Sequence, residues 1–154
     1  MHKLKAFFYG IIAASGATVF QQLILITLNI ETVSTTSLTP LLVFGALSEE
    51  LFKFIVIYKI YSETESRKSF LLNSLLIGFG FSLIELIFKI WDKLPTVQVF
   101  YADYLGIIII HIITAGVIGY FLTLKNSKFL LSIIGITLAF LLHLAYNAFK
   151  IYRF

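Results

Sequence analysis

Gly45-Ala46-Leu47-Ser48-Glu49-Glu50-Leu51-Phe52-Lys53-Phe54 places two adjacent carboxylates and a lysine midway along an apolar run. Thr39-Pro40 precedes that run and Tyr61-Ser62 follows it. A charge at mid-membrane depth costs about 3 kcal/mol on insertion scales, so three together need a common purpose. Glu49 and Lys53 stand one helical turn apart, as do Glu50 and Lys53, and all three are expected to share one side of a helix. Such a cluster either lines a buried polar site or does not lie in a membrane helix.

The surrounding chain favours the first reading. It has 154 residues, 59% hydrophobic and 13% charged, against about 25% charged in an ordinary soluble domain. This predicts an all-α, polytopic membrane helix bundle with about five transmembrane helices. The whole of 1–154 forms one transmembrane domain, with a first helix over about 4–30 and a four-helix catalytic core over about 38–151. The absence of cysteine excludes disulfides, thiolate metal sites and cysteine nucleophiles. The basic balance, with a pI near 9.3, comes from residues at span ends. It fits membrane orientation, not a nucleic-acid partner.

Five apolar segments are expected, Leu4–Ile30, Leu38–Tyr61, Phe70–Trp91, Phe100–Leu124 and Phe129–Ile151. Each is long enough to cross a hydrocarbon core of about 30 Å. The connections are short, so successive helices should be antiparallel. Ala13-Ala14-Ser15-Gly16-Ala17 has the small-residue character of a signal-peptide cleavage region. The apolar run continues well past it, which predicts an uncleaved anchor helix. With the N-terminus inside, Lys3, Lys5, Lys59, Arg67, Lys68, Lys125 and Lys128 face the inner side. Lys89, Lys93, Lys150 and Arg153 face the outer side. That excess places the N-terminus inside and the C-terminus outside, in the plasma membrane.

On this topology the costly polar residues of four helices fall in one layer. Glu49 lies about 13 Å below the outer boundary, Glu85 about 9 Å, His111 about 15 Å, His143 about 11 Å and Asn147 about 5 Å. Reversing the topology changes the side but keeps the layer. His143 and Asn147 share a helix face, as do Phe81 and Glu85. Gly45, Gly78, Ser82, Gly116 and Gly119 supply the small residues that let membrane helices approach closely. A single shared site is the economical reading.

The carboxylates Glu49, Glu50 and Glu85 are more numerous than Lys53 can neutralise, a setting suited to general acid/base work. His143 and Asn147 carry donors that an oxyanion needs. Asp92, Lys93, Asp103, Glu63 and Glu65 read as solvated loop charges. Ser48, Ser82 and Thr114 lack an elbow-type nucleophile motif around them. Trp91, Tyr101 and Tyr104 read as an outer aromatic belt.

The order Glu49-Glu50-x-x-Lys53, Phe81-x-x-x-Glu85, His111 and His143-x-x-x-Asn147, on successive helices, resembles the PrsW family of intramembrane proteases. That family is similar to a larger group holding CAAX prenyl endopeptidases and abortive-infection proteins. The match runs from about Leu38 to Asn147. Leu86 stands where an asparagine usually follows the second-motif glutamate, and no basic residue lies between Asp103 and His111.

The resemblance implies a glutamate-dependent protease cutting a single-span or membrane-associated protein. Glu49 would activate water, Glu50 would support it, and Glu85 would fill the second-motif position. His143 and Asn147 would stabilise the oxyanion, and His111 would orient or donate. Lys53 and Phe81 would have supporting places. The family is also described as metalloproteases, and Glu49, Glu85, His111 and His143 form the set that would ligate zinc. No His-Glu-x-x-His is present, so the sequence itself demands no cofactor. Two other readings remain open: a proton-coupled transporter or proton relay, and a non-catalytic relative that binds a membrane partner.

Overall fold

The computed structural model describes residues 3–29, 40–64, 66–92, 97–124 and 128–153, with side chains at 92, 97–103, 128, 152 and 153 excepted. Glu65, Asp92, Lys93, Tyr101, Asp103, Lys125, Lys128 and Arg153 therefore lie outside the residues, or the side chains, so described. Five helices follow in order: α1 Lys3–Thr27, α2 Pro40–Tyr61, α3 Arg67–Asp92, α4 Val97–Leu122 and α5 Lys128–Arg153. They match the five expected segments to within a few residues.

Local chemistry sets several of the ends. Asn29 adopts φ 50° just beyond α1, the left-handed conformation that closes a helix and that asparagine tolerates. Pro40 opens α2, where its missing N–H is of no consequence. The Ser69 N–H donates to Ser66 Oγ at 3.2 Å, so Ser66 caps α3.

Among the described residues, four helices are long and apolar enough to cross a membrane: α1, α3 over Arg67–Trp91, α4 over Tyr104–Leu122 and α5 over Phe129–Ile151. α2 has 22 residues, about 33 Å of helix, but Glu49, Glu50 and Lys53 interrupt its apolar character. It compensates by position. α2 packs against all four other helices, which form an arc in the order α1, α3, α4, α5 around it. Its Glu50 and Lys53 have no exposed surface. Large apolar side chains point away from the bundle instead, among them Leu4, Phe8, Ile12, Val19, Leu23 and Ile26 along α1. So broad an apolar exterior suits lipid contact. Trp91, at the end of α3, is 88% exposed.

The opposite face of α1 carries Ala6, Gly10, Ala13, Ala14 and Ala17, all buried. Within the small-residue stretch that resembles a cleavage region, Ala13, Ala14 and Ala17 pack with Phe81 of α3 and with Phe52 and Val56 of α2. A Cβ at Gly10 would collide with the Ile77 carbonyl and lie 2.9 Å from the Phe81 nitrogen, both of them backbone atoms that cannot yield cheaply. Gly10→Leu is therefore expected to force α1 off α3 and cost about 3 kcal/mol, read as a lowered unfolding midpoint in detergent. Gly78 plays the same part between α3 and α4, where a Cβ would lie 2.8 Å from the Ile112 Cα. That approach brings His111 against α3.

At the opposite end of the bundle from the charged layer, Lys5 Nζ donates to Glu63 Oε2 at 2.6 Å. It ties the start of α1 to the end of α2 and holds the Glu63 carboxyl below its ordinary value of 4.5. A depressed carboxylate contributes above its unfolded value and loses that contribution as pH falls through the folded one. The tie is expected to hold at neutral pH and to weaken only below about pH 4.5, visible as a low Glu63 titration midpoint by NMR.

Candidate active site

Glu49 and Glu50 are neighbours in sequence, but one residue of helix turns the chain by about 100°. The expectation that both share one side with Lys53 therefore holds for only one of them. Glu50 points into the bundle and pairs with Lys53, Nζ to Oε1 at 2.7 Å, with both side chains fully buried. Lys53 also donates to Thr114 Oγ1 at 3.0 Å and lies 4.7 Å from the centre of the Phe81 ring. Glu49 faces a cavity, and its side chain retains 20% exposure.

The histidines complete the arrangement. His143 Nδ1 lies 2.7 Å from Glu50 Oε1, and His111 Nε2 contacts Glu85 Oε2. An ionised carboxylate can only accept, so these nitrogens carry the protons. The lone pairs then fall on His143 Nε2 and His111 Nδ1. His143 Nε2 is 3.7 Å from Glu49 Oε2. Among the described residues neither Glu49 Oε2 nor His111 Nδ1 has a hydrogen-bond partner, although both are buried. The imidazole rings are 5.1 Å apart and nearly perpendicular, and Phe81 packs on His111 at 4.8 Å.

One donor atom from each of Glu49, His111 and His143 lies within 4.8 Å of the others. Two histidines and a glutamate are a known ligand set for catalytic zinc. Each histidine is also held by a carboxylate through its other nitrogen, the outer-shell arrangement that fixes metal-ligating imidazoles. Glu85, counted from sequence among the possible ligands, is engaged with His111 and with Lys89. By these contacts the residues present fit a divalent ion.

Of the sequence-named residues, Glu49, Glu50, Lys53, Phe81, Glu85, His111 and His143 are drawn into this one contact network. Asn147 lines a cavity with Glu49, Glu85 and His143 but has no hydrogen bond to them. The hydroxyls have other engagements: Ser48 Oγ donates to the Gly45 carbonyl at 2.7 Å, Ser82 to the Phe79 carbonyl at 2.7 Å and Thr114 to the His111 carbonyl at 3.3 Å.

Sequence reasoning missed Gln21 and the part played by Lys89. Gln21 Nε2 on α1 reaches Ser48 Oγ at 2.8 Å, the Gly45 carbonyl at 3.2 Å and Glu49 Oε1 at 3.4 Å. A glutamine six residues inside an apolar helix was a usable signal, since polar groups there face the bundle interior. Lys89, read as an orientation charge, forms an ion pair with Glu85 one turn away. Asn73 was also missed; it is fully buried, and neither amide atom has a partner among the described residues.

No curated protein and no solved structure matches the chain. A family model described as PrsW family intramembrane metalloprotease matches residues 2–153, nearly the whole length. α1 falls within that match, beyond the Leu38–Asn147 region carrying the sequence resemblance. The chain is a member of the PrsW family of intramembrane metalloproteases.

Proposed function

We propose that the protein hydrolyses a peptide bond of a membrane-associated polypeptide at the layer holding Glu49, His111 and His143, with the N-terminus of the chain inside. The observation that carries this reading is the pair of imidazoles, each fixed by a carboxylate at one nitrogen, with Glu49 beside them. Lys53 neutralises Glu50 and Lys89 neutralises Glu85. Among the described residues Glu49 is left without a lysine partner, and its Oε2 has no hydrogen bond.

Glu49, His111 and His143 would hold a zinc-type ion, which when bound lowers the pKa of its water to about 7 and polarises the scissile carbonyl. With the ion bound, Glu85, the remaining carboxylate on the cavity wall and held by Lys89 and His111, would be placed to take the proton of the attacking water. In the ion-free form Glu49 Oε2 accepts it. In both, the water oxygen bonds to the carbonyl carbon, the C–N bond breaks, and the captured proton goes to the departing amine. His143 donates an Nδ1–H hydrogen bond to Glu50, which leaves its Nε2 lone pair as the atom that would ligate the ion. The Asn147 amide serves as donor to the oxyanion.

A proton path is the weaker reading. The ionisable groups stay in one layer, and the buried polar residues of the other half of α3, Asn73 and Ser74, do not titrate.

The test is cleavage of a panel of single-span reporters by the purified protein in liposomes, with and without a zinc chelator. Cleavage that stops on chelation and returns with zinc supports the metal form, whereas indifference to chelation assigns the proton to Glu49. Gln21→Leu removes the donor that holds Glu49 Oε1. It is expected to lower cleavage about tenfold, within the cost of leaving one buried acceptor unpaired, without loss of zinc.

A further inference from the structure

Two cavities meet at Glu49. The larger, about 440 Å³, is walled by α1 and α3 with Glu49 between them, and among the described residues neither α4 nor α5 contributes to it. The smaller, about 250 Å³, leads on to His143 and Asn147. Gln21, Glu49, Glu85 and Lys89 line both. The two cavities therefore share a wall, one opening on the flank of the bundle and the other reaching His143. At the rim of the larger, Phe88 is 49% exposed and the Lys89 side chain 42% exposed. Nearer the other end of the bundle, α1 and α3 are in backbone contact at Gly10 and Gly80.

The α1 wall of this cleft is oddly polar for a lipid-facing surface. Gln22 lines it, is exposed, and makes no hydrogen bond among the described residues. Lys89 spends one N–H on Glu85 and has others to give. A spanning helix hides its peptide bonds inside its own hydrogen-bond ladder. To be cut it must unwind, and each freed N–H and C=O then needs a partner in a medium without water. A side amide and an ammonium at the mouth of the cleft supply both kinds of partner.

We propose that the α1–α3 cleft admits and holds an unwound segment of a membrane-spanning polypeptide, with Gln22 and Lys89 bonding its freed backbone groups. This rests on the hydrolytic reading above and adds the route and the conformation of the substrate.

The absence of native cysteine is not needed for the test, which uses a photoreactive benzoylphenylalanine at position 22 or 88. Controls carry it at Leu142 on α5 or Ile109 on α4, exposed residues close to His143 and His111 in sequence. The probe is a synthetic Leu/Ala membrane-spanning peptide with a Gly-Pro break at the level of the site, compared with the same peptide unbroken. A Glu49→Gln background keeps the peptide intact. The broken peptide is expected to cross-link at 22 and 88 about fivefold more than at the controls, and about fivefold more than the unbroken one. Gln22→Leu should reduce the adduct at 88 by about the same factor, at an unchanged unfolding midpoint.

Equal labelling at 109 and 142, no preference for the break, or no adduct at all would overturn the proposal. The otherwise unmodified protein, given the same peptide, separates the two readings. Selective adducts without cleavage keep the cleft and sink hydrolysis. Cleavage with adducts spread evenly keeps hydrolysis and sinks the cleft.

Discussion

Glu49→Gln is expected to reduce peptide hydrolysis by about a thousandfold or more while leaving the protein folded. The two halves of that expectation have separate causes. Among the described residues, Glu49 Oε2 faces the cavity without a hydrogen-bond partner, and Oε1 accepts only from Gln21. A glutamine has the same shape and keeps a carbonyl oxygen for Gln21, so little packing is lost. The lost charge matters to chemistry, because an amide is neither a base nor an anionic metal ligand. Single-turnover cleavage beside an unfolding curve measures both halves. Wild-type cleavage by folded Glu49→Gln would remove Glu49 from the reaction.

Lys53→Met is expected to act in the opposite sense, mainly on the fold. Lys53 and Glu50 are fully buried and 2.7 Å apart. Removing the cation leaves a carboxylate in a low-dielectric interior with only His143 to hold it. Breaking a buried pair at one partner costs about 3–5 kcal/mol, a large share of the roughly 5–15 kcal/mol that holds a domain together. The double variant Glu50→Gln/Lys53→Met removes the stranded charge and should recover most of that loss. It should not recover hydrolysis, because His143 Nδ1 then loses its carboxylate. Denaturation in detergent of the single and double variants decides this. A single variant as stable as the double would mean that Glu50 is not charged in the bundle.

The fold was legible because its signals are collective. Five runs of spanning length, four of them apolar enough to cross a membrane, leave few arrangements, and the helices begin and end close to where composition changes. The clustering of the candidate site's residues was legible for a related reason. Glu49, Glu50, Lys53, Glu85, His111 and His143 are each costly in a membrane, so their common depth marks a common location.

What the sequence left open were pairings that depend on rotation about a helix and on contacts far apart in the chain. Glu49 and Glu50 differ by one step of helix, and that step separates a cavity-facing carboxylate from a buried ion pair. Lys89 carries the same charge whether it faces lipid headgroups or Glu85. Gln21 meets Ser48 and Glu49 only because α1 and α2 run side by side, a fact of packing that no local pattern encodes. The tautomers of His111 and His143 follow from which carboxylate each one meets, again a matter of tertiary contact.

The most direct measurement of the central claim is the position of the cut. Wild-type protein alone in liposomes, given a single-span reporter that it cleaves, should release fragments whose masses place the scissile bond inside the span. The cut should lie about six to ten residues from one membrane boundary, matching a site about 9–15 Å deep. It should be absent with folded Glu49→Gln. A cut in the aqueous flanks, or a cut by folded Glu49→Gln at the wild-type position and rate, would contradict hydrolysis at the Glu49, His111 and His143 layer.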